Sequence, residues 1–232
     1  DDALYDSRTY AVSDYPALTD ALSEFVKEIT GLGWASRPDA ACLALACPVE
    51  RDVVAFTNSD WLADRQALSA QLQGCPVELI NDFAAVGYAV TALDSSDWVQ
   101  LGGKAGQPNR PIAVLGPGTG LGVCSVIQNS SGTFVIEGEG GHADIAPVTD
   151  REVLVLRHMR ARFGRVSIER ALSGEGLLNI FDALAEETLP AVSSDEASRG
   201  SRHYEDPARL TEAALGGTDP LAVTTVETFC EM

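Results

Sequence analysis

Apolar positions in the first ninety residues alternate between short continuous runs and a helical spacing. The continuous runs are typical of strands covered in a parallel sheet, and the spacing of three to four is typical of amphipathic helices. The predicted strands are 8–12, 40–47 (buried on both faces), 53–56 and 77–80, and the predicted helices begin at Asp14, at 60 and at 83. This alternation predicts an α/β layer whose sheet is at least partly parallel.

The remainder of the chain changes from strands to helices near residue 150. The predicted strands are 98–101, 112–115, 123–127 and 133–137, and the predicted helices are 150–163, one opening at Ser173, 207–215 and one following Asp219. Asp-Pro pairs at 206 and 219 are typical of an N-cap residue followed by a proline in the first helical position. A short polar stretch after residue 93 divides the chain into a small domain, 1–92, and a large domain, 93–232.

Charge and composition restrict the partners of the 232-residue chain. Its net charge of −18 disfavours nucleic acid or an anionic membrane as partner. No apolar stretch is long enough to cross a bilayer, and the acidic N-terminus does not resemble a signal peptide. Five cysteines without C-x-x-C spacing predict reduced thiols and a cytoplasmic location. The negative charge of the chain would also repel a phosphate-bearing ligand such as a nucleotide. Binding of such a ligand would therefore depend on local hydrogen-bond donors and Mg²⁺.

A run of glycines between two predicted strands is the most informative motif. Glycine stands at every second position from 116 to 122, and Thr119 supplies the hydroxyl at the tip. A turn this bare allows several backbone N–H groups to converge on one anion. The G-x-G-x-x-G spacing fails in every frame, and no Gly-Lys-Ser/Thr of a Walker A loop occurs. A phosphate-binding turn and an ordinary glycine-rich hairpin both remain open.

Candidate polar residues lie at two chain reversals. Asn81 and Asp82 stand where a buried strand ends and a helix begins, which is where ligands bind in open α/β sheets. Asp82 is therefore either a general base or simply the N-cap of the helix. Glu139 and His142 stand among glycines and suit the hydroxyls of a polyol, or they belong to a tight turn without a ligand.

Glu169 opens a later helical segment, where the simplest role of its carboxylate is a favourable interaction with the helix N-terminus. Each of these features alone is weak evidence of function. Together they supply a phosphate-binding turn, a base for an alcohol proton and groups that hold the acceptor. Phosphoryl transfer to a hydroxyl requires such a combination.

The same motifs occur in the order and spacing of bacterial glucokinases, and the sequence resembles the proteobacterial and cyanobacterial members over essentially its whole length. The matching segments are Cys47-Pro48, Thr57-Asn58, 80–83, 115–122, 139–144 and 167–174. The resemblance implies an α/β, actin-like ATPase (ribonuclease H-like) two-domain fold of the hexokinase–actin–Hsp70 type, incomplete here at both termini.

The resemblance also implies a role for each candidate residue. Asp82 would be the base that takes the proton from the 6-hydroxyl of D-glucose as this hydroxyl attacks the γ-phosphate of ATP. The residues that would bind the sugar hydroxyls are Asn81, Glu139, His142 and Glu169, and those that would receive ATP phosphates with Mg²⁺ are Gly118, Thr119 and Gly120. No side chain is assigned as a metal ligand, and a homodimer is one of the oligomeric states left open.

Two departures from the family pattern concern the nucleotide. The family opens with a D-x-G-G-T phosphate loop and continues into a further glycine motif that holds adenosine, and neither is present in this sequence. The Gly-Gly-Thr at 216–218 does not replace the first, because Ala214 stands at the aspartate position. We therefore expect the sugar site to be nearly complete and the nucleotide site partial, so that this chain binds or transfers poorly by itself.

Three alternatives remain beside the glucokinase interpretation: a kinase of another hexose with the same fold, a sugar-sensing regulator without turnover, and a glycosidase using Asp82 and Glu139. A glycosidase would not use the glycine turn. A regulator is disfavoured because the sequence shows no DNA-binding segment. The kinase interpretation requires Asp82 and Thr119 to face one cleft, with His142 beside them.

Overall fold

The computed structural model describes residues 6–56, 59–104, 106–188 and 204–232. Contacts divide the chain into two compact units. The first contains the residues up to Gln107 together with Ser131–Val135, and the second contains Pro108–Ser130 and Ile136–Met232. The domain boundary predicted between 92 and 93 stays a prediction. The Thr57-Asn58 motif lies outside the described residues.

The first unit is built on a parallel pair of strands. Its elements are α1 (Leu18–Gly31), β1 (Ala41–Leu45), β2 (Val53–Ala55), β3 (Leu62–Asp64), α2 (Arg65–Gln71), β4 (Val77–Asn81) and α3 (Asp82–Val90). β1 and β4 are parallel, and β2 pairs antiparallel with β3. The core includes the fully buried residues Ala63, Leu68 and Cys75. The prediction of a partly parallel sheet is confirmed, and β4 leads directly into α3, where Asn81 and Asp82 lie.

Several details predicted for this unit are wrong. The segment 8–12 forms no strand, because no described strand pairs with it; only a short 3-10 turn, Val12–Asp14, follows. β1 is exposed at alternate residues rather than buried on both faces. The helix predicted from 60 begins at Arg65, because Asp64 caps it by accepting the Gln66 N–H at 2.9 Å.

The helix α3 also differs in its burial from the predicted buried helix. Only Ala84 and Gly87 are buried, whereas Val86 and Tyr88 are exposed. A single packed face explains this, with the small residues Ala84 and Gly87 on it. Asp82 therefore starts a helix that is covered on one side.

The described elements after residue 107 include a three-stranded sheet and four α-helices. These elements are β5 (Ile112–Pro117), β6 (Leu121–Asn129), β7 (Gly132–Gly138), α4 (Asp150–Phe163), α5 (Gly174–Thr188), α6 (Pro207–Leu215) and α7 (Pro220–Glu231). The strand order is β5-β6-β7, and β5 and β6 pair antiparallel from Ile112↔Val126 to Pro117↔Leu121. The strands and helices predicted from residue 112 onward are confirmed.

The strand predicted at 98–101 is wrong. This segment has no regular structure, and Val99 and Leu101 are 81% and 98% exposed. No strand in the described part of the chain pairs with it. An apolar run without a partner strand gains neither hydrogen bonds nor burial, so its β-propensity is not realised.

The helices pack through two apolar clusters. Val155, Met159 and Ile180 are fully buried in the first, and Leu210 and Ala222 are fully buried in the second. Asp206 and Asp219 cap α6 and α7 as predicted, each with a proline in the first turn. None of the helices in the described ranges is both long enough and apolar enough to cross a membrane.

A capping box begins α4 and makes the fold sensitive to acid. Thr149 accepts the Glu152 N–H at 3.2 Å, and the Glu152 carboxylate accepts the N–H groups of Val148 and Thr149. The hydrogen bond from Val148 is the main cause that lowers the pKa of Glu152. Because the folded pKa is depressed, this carboxylate stabilises the fold above its unfolded pKa of about 4.3, and the stabilisation is lost as the pH falls through the folded pKa.

We expect Glu152→Gln to lower the free energy of unfolding by about 1 kcal/mol near pH 7, because the charged half of the capping box is lost. The difference from the parent should shrink in acid. Urea denaturation between about pH 7 and pH 3 measures this. Glu227→Gln, which replaces an exposed acid on α7, should follow the parent throughout, and an undiminished difference in acid would contradict the prediction.

Candidate active site

The glycine turn at 118–120 connects β5 to β6 and has two unused donors. The Gly118 N–H donates to the Gly120 carbonyl at 2.8 Å, and the N–H of Gly174, the first residue of α5, donates to the Gly118 carbonyl at 2.9 Å. Among the described residues, neither the Thr119 N–H nor the Gly120 N–H has an acceptor. Adjacent free N–H groups form an anion-binding concavity, so this hairpin has the donors that a phosphate group needs.

Glu169 lies directly against this turn. It belongs to a short 3-10 turn, Ile168–Arg170, and its Oε2 atom accepts the Leu121 N–H at 2.9 Å. A Cβ atom added at Gly120 would stand 2.5 Å from the same oxygen. The absence of a side chain at Gly120 therefore allows the carboxylate to reach the backbone. No pattern in the sequence predicts this contact.

His142 lies between two carboxylates. Its Nε2 atom is 3.6 Å from Oε2 of Glu139, and its Nδ1 atom is 3.9 Å from Oε1 of Glu169. Both separations exceed hydrogen-bond length, so all three side chains keep polar atoms for a further group. The structure brings together three of the four residues predicted to bind sugar, and it places them next to the glycine turn.

Two glycines hold the Glu139–His142 turn close to β6. A Cβ atom at Gly141 would collide with the Leu121 carbonyl oxygen, and one at Gly140 would stand 2.8 Å from a methyl carbon of Val123. Glycine is needed at both positions, because the turn approaches the backbone of β6 at Gly141 and the Val123 side chain at Gly140. The glycine pair was the sequence signal for this approach, although it did not indicate which strand would be approached.

Arg165 fixes the same turn from its other side, and sequence reasoning missed it. Its guanidinium donates to the His142 carbonyl at 2.6 Å and to Asp144 at 2.8 Å. The Ile168 N–H also donates to the Ala143 carbonyl at 2.8 Å. Nothing in the sequence distinguishes Arg165 from the other arginines near it, because its role depends on a carbonyl 23 residues away.

Asn81 and Asp82 belong to the first unit, at the junction of β4 and α3. Asn81 is the N-cap of α3, because its Oδ1 atom accepts the N–H groups of Phe83 at 2.9 Å and Ala84 at 3.2 Å. Asp82 is exposed and accepts the Phe83 N–H at 2.8 Å. The N-cap of α3 is therefore Asn81 and not Asp82. With its oxygen engaged, Asn81 has only amide protons left for a ligand.

Cys47 is buried next to this junction. Its carbonyl oxygen accepts from the Asn81 amide at 3.4 Å, and burial, with a smaller contribution from the Asp82 charge, raises the pKa of its thiol. A raised pKa keeps the thiol neutral and unreactive. The Cys47-Pro48 segment thus supports the position of Asn81 rather than supplying a nucleophile.

The described side chains include no group of three or more His, Cys, Asp or Glu residues arranged to hold a metal ion. Magnesium at sites of phosphoryl transfer is commonly held through phosphate oxygens and water with few protein ligands. The free N–H groups of the glycine turn are suited to a phosphate group, which is the kind of group that would carry such an ion.

The mixed α/β elements, with a glycine hairpin beside an acid–imidazole cluster, fit the actin-like class of folds. Comparison with known proteins gives the family. The family model for glucokinase matches residues 1–232, so the chain belongs to the glucokinase family. It is 36% identical over 230 residues to a glucokinase of Tolumonas auensis, covering 99% of this chain and 67% of that protein.

Further comparisons agree with this assignment. A glucokinase of Nitrobacter hamburgensis is 37% identical over 222 residues, which cover 96% of this chain and 65% of that protein. The crystal structure of a glucokinase from an Antarctic psychrotroph has a TM-score of 0.78 and 29% identity, covering 96% of this chain and 65% of that one. The chain thus spans about two thirds of the length of these relatives.

Proposed function

We propose that the protein transfers the γ-phosphoryl group of ATP to the 6-hydroxyl of D-glucose. One observation supports this most directly: the Glu169 carboxylate contacts the N–H that follows the glycine turn and also lies beside the His142 imidazole. Phosphate-type donors and hydroxyl-type groups thus adjoin within one unit. Membership of the glucokinase family makes ATP and glucose the substrates that fit these two kinds of group.

The free N–H groups of Thr119 and Gly120 would receive phosphate oxygens. Glu169 occupies the side of the turn where a Gly120 side chain would stand, so phosphates would bind away from this negative charge. Mg²⁺, when bound with the nucleotide, would supply positive charge that this acidic chain lacks. The protein's own contribution is a set of backbone dipoles whose geometry is fixed before the substrate arrives.

Glu139, His142 and Glu169 would hold the sugar by its hydroxyls, and Asp82 would take the proton of the attacking one. Because Asn81 caps α3, the Asp82 carboxylate keeps an oxygen for this role. The proposal requires Asp82 and the glycine turn to act on the same pair of substrates. Closure of the two domains of a ribonuclease H-like fold would then exclude water, the competing phosphoryl acceptor.

Several finer points remain part of the proposal. We infer that the protein is cytoplasmic and that segments of the complete two-domain fold are missing from this chain, which spans about two thirds of its relatives. A homodimer stays open. A kinase of another hexose and a non-catalytic sugar sensor are the competing functions, and both would use the same hydroxyl-binding residues.

A panel of sugars tests the proposed function. Calorimetry should show glucose binding, and 2-deoxy and N-acetyl analogues should bind about 10- to 100-fold more weakly, because a missing hydroxyl leaves its partner group unsatisfied. A radiolabelled ATP assay should detect 6-phosphate formed from glucose even at slow turnover. Preferred binding of another hexose would favour the second kinase. Binding of both glucose and Mg·AMP-PNP without any transfer would favour the sensor, because a nucleotide site too incomplete to bind nucleotide would also prevent transfer.

A further inference from the structure

The glycine turn depends on one side chain for its position. Outside the pairing of β5 with β6, the described residues show three hydrogen bonds at 118–121, of which one is internal to the turn and one comes from the Gly174 backbone. The third is the bond from the Leu121 N–H to the Glu169 carboxylate, at 2.9 Å. Leu121 is only 8% exposed, so its N–H would stay unsatisfied if the carboxylate moved away.

The two oxygens of this carboxylate serve different groups. Oε2 lies against Leu121 and Gly120, and Oε1 is 3.9 Å from Nδ1 of His142. Because a carboxylate is planar and rigid, a ligand that draws Oε1 toward the imidazole also sets the position of Oε2. The orientation of Glu169 therefore affects the backbone next to the free N–H groups of Thr119 and Gly120.

We propose that Glu169 is a positioning residue that couples the two substrate sites, so that glucose strengthens nucleotide binding through its carboxylate. The inference rests on the proposed function, because it assigns phosphate to the turn and sugar to the His142 cluster. A coupling free energy is reciprocal. Bound nucleotide must then strengthen glucose binding by the same factor.

The coupling is measured as a ratio of dissociation constants. Calorimetry gives the affinity for Mg·AMP-PNP with and without saturating glucose, and the affinity for glucose with and without this nucleotide. We expect each ligand to strengthen the other about 10-fold in the parent protein. In Glu169→Ala both ratios should fall to about one. Glu169→Gln should keep part of the coupling, because its amide oxygen still accepts the Leu121 N–H.

Two further variants separate coupling from simple loss of a sugar ligand. Gly120→Ala removes no polar group, but its methyl group displaces the carboxylate from the turn, so it should also reduce the coupling. Glu186→Gln is the matched control: Glu186 pairs with His158 at 3.0 Å, a carboxylate–imidazole contact on α4 and α5. This variant should retain the parent's coupling, and thermal unfolding confirms that each protein is folded.

The outcomes distinguish the inference from the proposed function. If both ligands bind the parent independently, or if Glu169→Ala retains full mutual strengthening, Glu169 does not couple the sites and the inference is overturned. In either case the proposed function stands. If the folded parent binds neither glucose nor Mg·AMP-PNP, the proposed function itself is wrong and the inference fails with it.

Discussion

Replacement of Asp82 by asparagine should reduce phosphoryl transfer by about 10²- to 10⁴-fold while glucose affinity changes by less than about 3-fold. An amide has nearly the same shape as the carboxylate but cannot take the proton from the attacking hydroxyl. The fold should tolerate the change, because Asn81 rather than Asp82 caps α3 and Asp82 is exposed. The loss should therefore appear in kcat and not in KM or stability.

Asp64 provides the matched control for Asp82. It also stands where a strand meets a helix in the first unit, and it caps α2 through the N–H groups of Gln66 and Ala67. Asparagine is as good an N-cap as aspartate, so Asp64→Asn should leave both turnover and stability near the parent's values. Turnover is compared with the radiolabelled ATP assay and glucose affinity by calorimetry. Parent-like turnover in Asp82→Asn would exclude Asp82 as the base.

Sequence patterns predicted an element correctly where the interactions that form it join residues close together in the chain. Asp206 and Asp219 cap their helices through bonds two or three residues along the chain, and the predicted bounds of α4, 150–163, match a helix that begins with a capping box of adjacent residues. The strands predicted at 8–12 and 98–101 failed for the opposite reason. A strand needs a partner elsewhere in the chain, and β-propensity does not report whether that partner exists.

The candidate site shows the same limit. Asn81, Asp82, Glu139 and His142 were found because they stand in short motifs at chain reversals. The contact of Glu169 with the Leu121 N–H joins residues 48 positions apart, so no local pattern indicates it. The sequence placed Glu169 at the start of a helical segment, and its role as a sugar-binding residue came from the resemblance to a family, whereas its contact with the glycine turn is visible only in the structure.

Gly141→Ala should damage the sugar site more than any change of a single hydroxyl-binding atom. The added methyl group would collide with the Leu121 carbonyl oxygen, and the backbone of a strand cannot move aside as a flexible side chain does. The turn that carries Glu139 and His142 must then separate from β6. We expect a loss of about 1–3 kcal/mol in the free energy of unfolding, and glucose affinity at least about 10-fold weaker, because both side chains lose their position.

Gly138→Ala is the control for this prediction, since it adds the same methyl group three residues earlier. Its nearest neighbour would be the Val123 carbonyl oxygen at 3.9 Å, an ordinary contact, so stability and glucose affinity should stay near the parent's values. Urea denaturation and calorimetry on the two variants measure both quantities. If Gly141→Ala bound glucose like the parent, the close approach of this turn to β6 would not determine sugar affinity. Glu139 and His142 would then bind the sugar from a turn that moves freely. The contacts of Arg165 with the His142 carbonyl and with Asp144 argue against such movement, because they hold the turn from its other side.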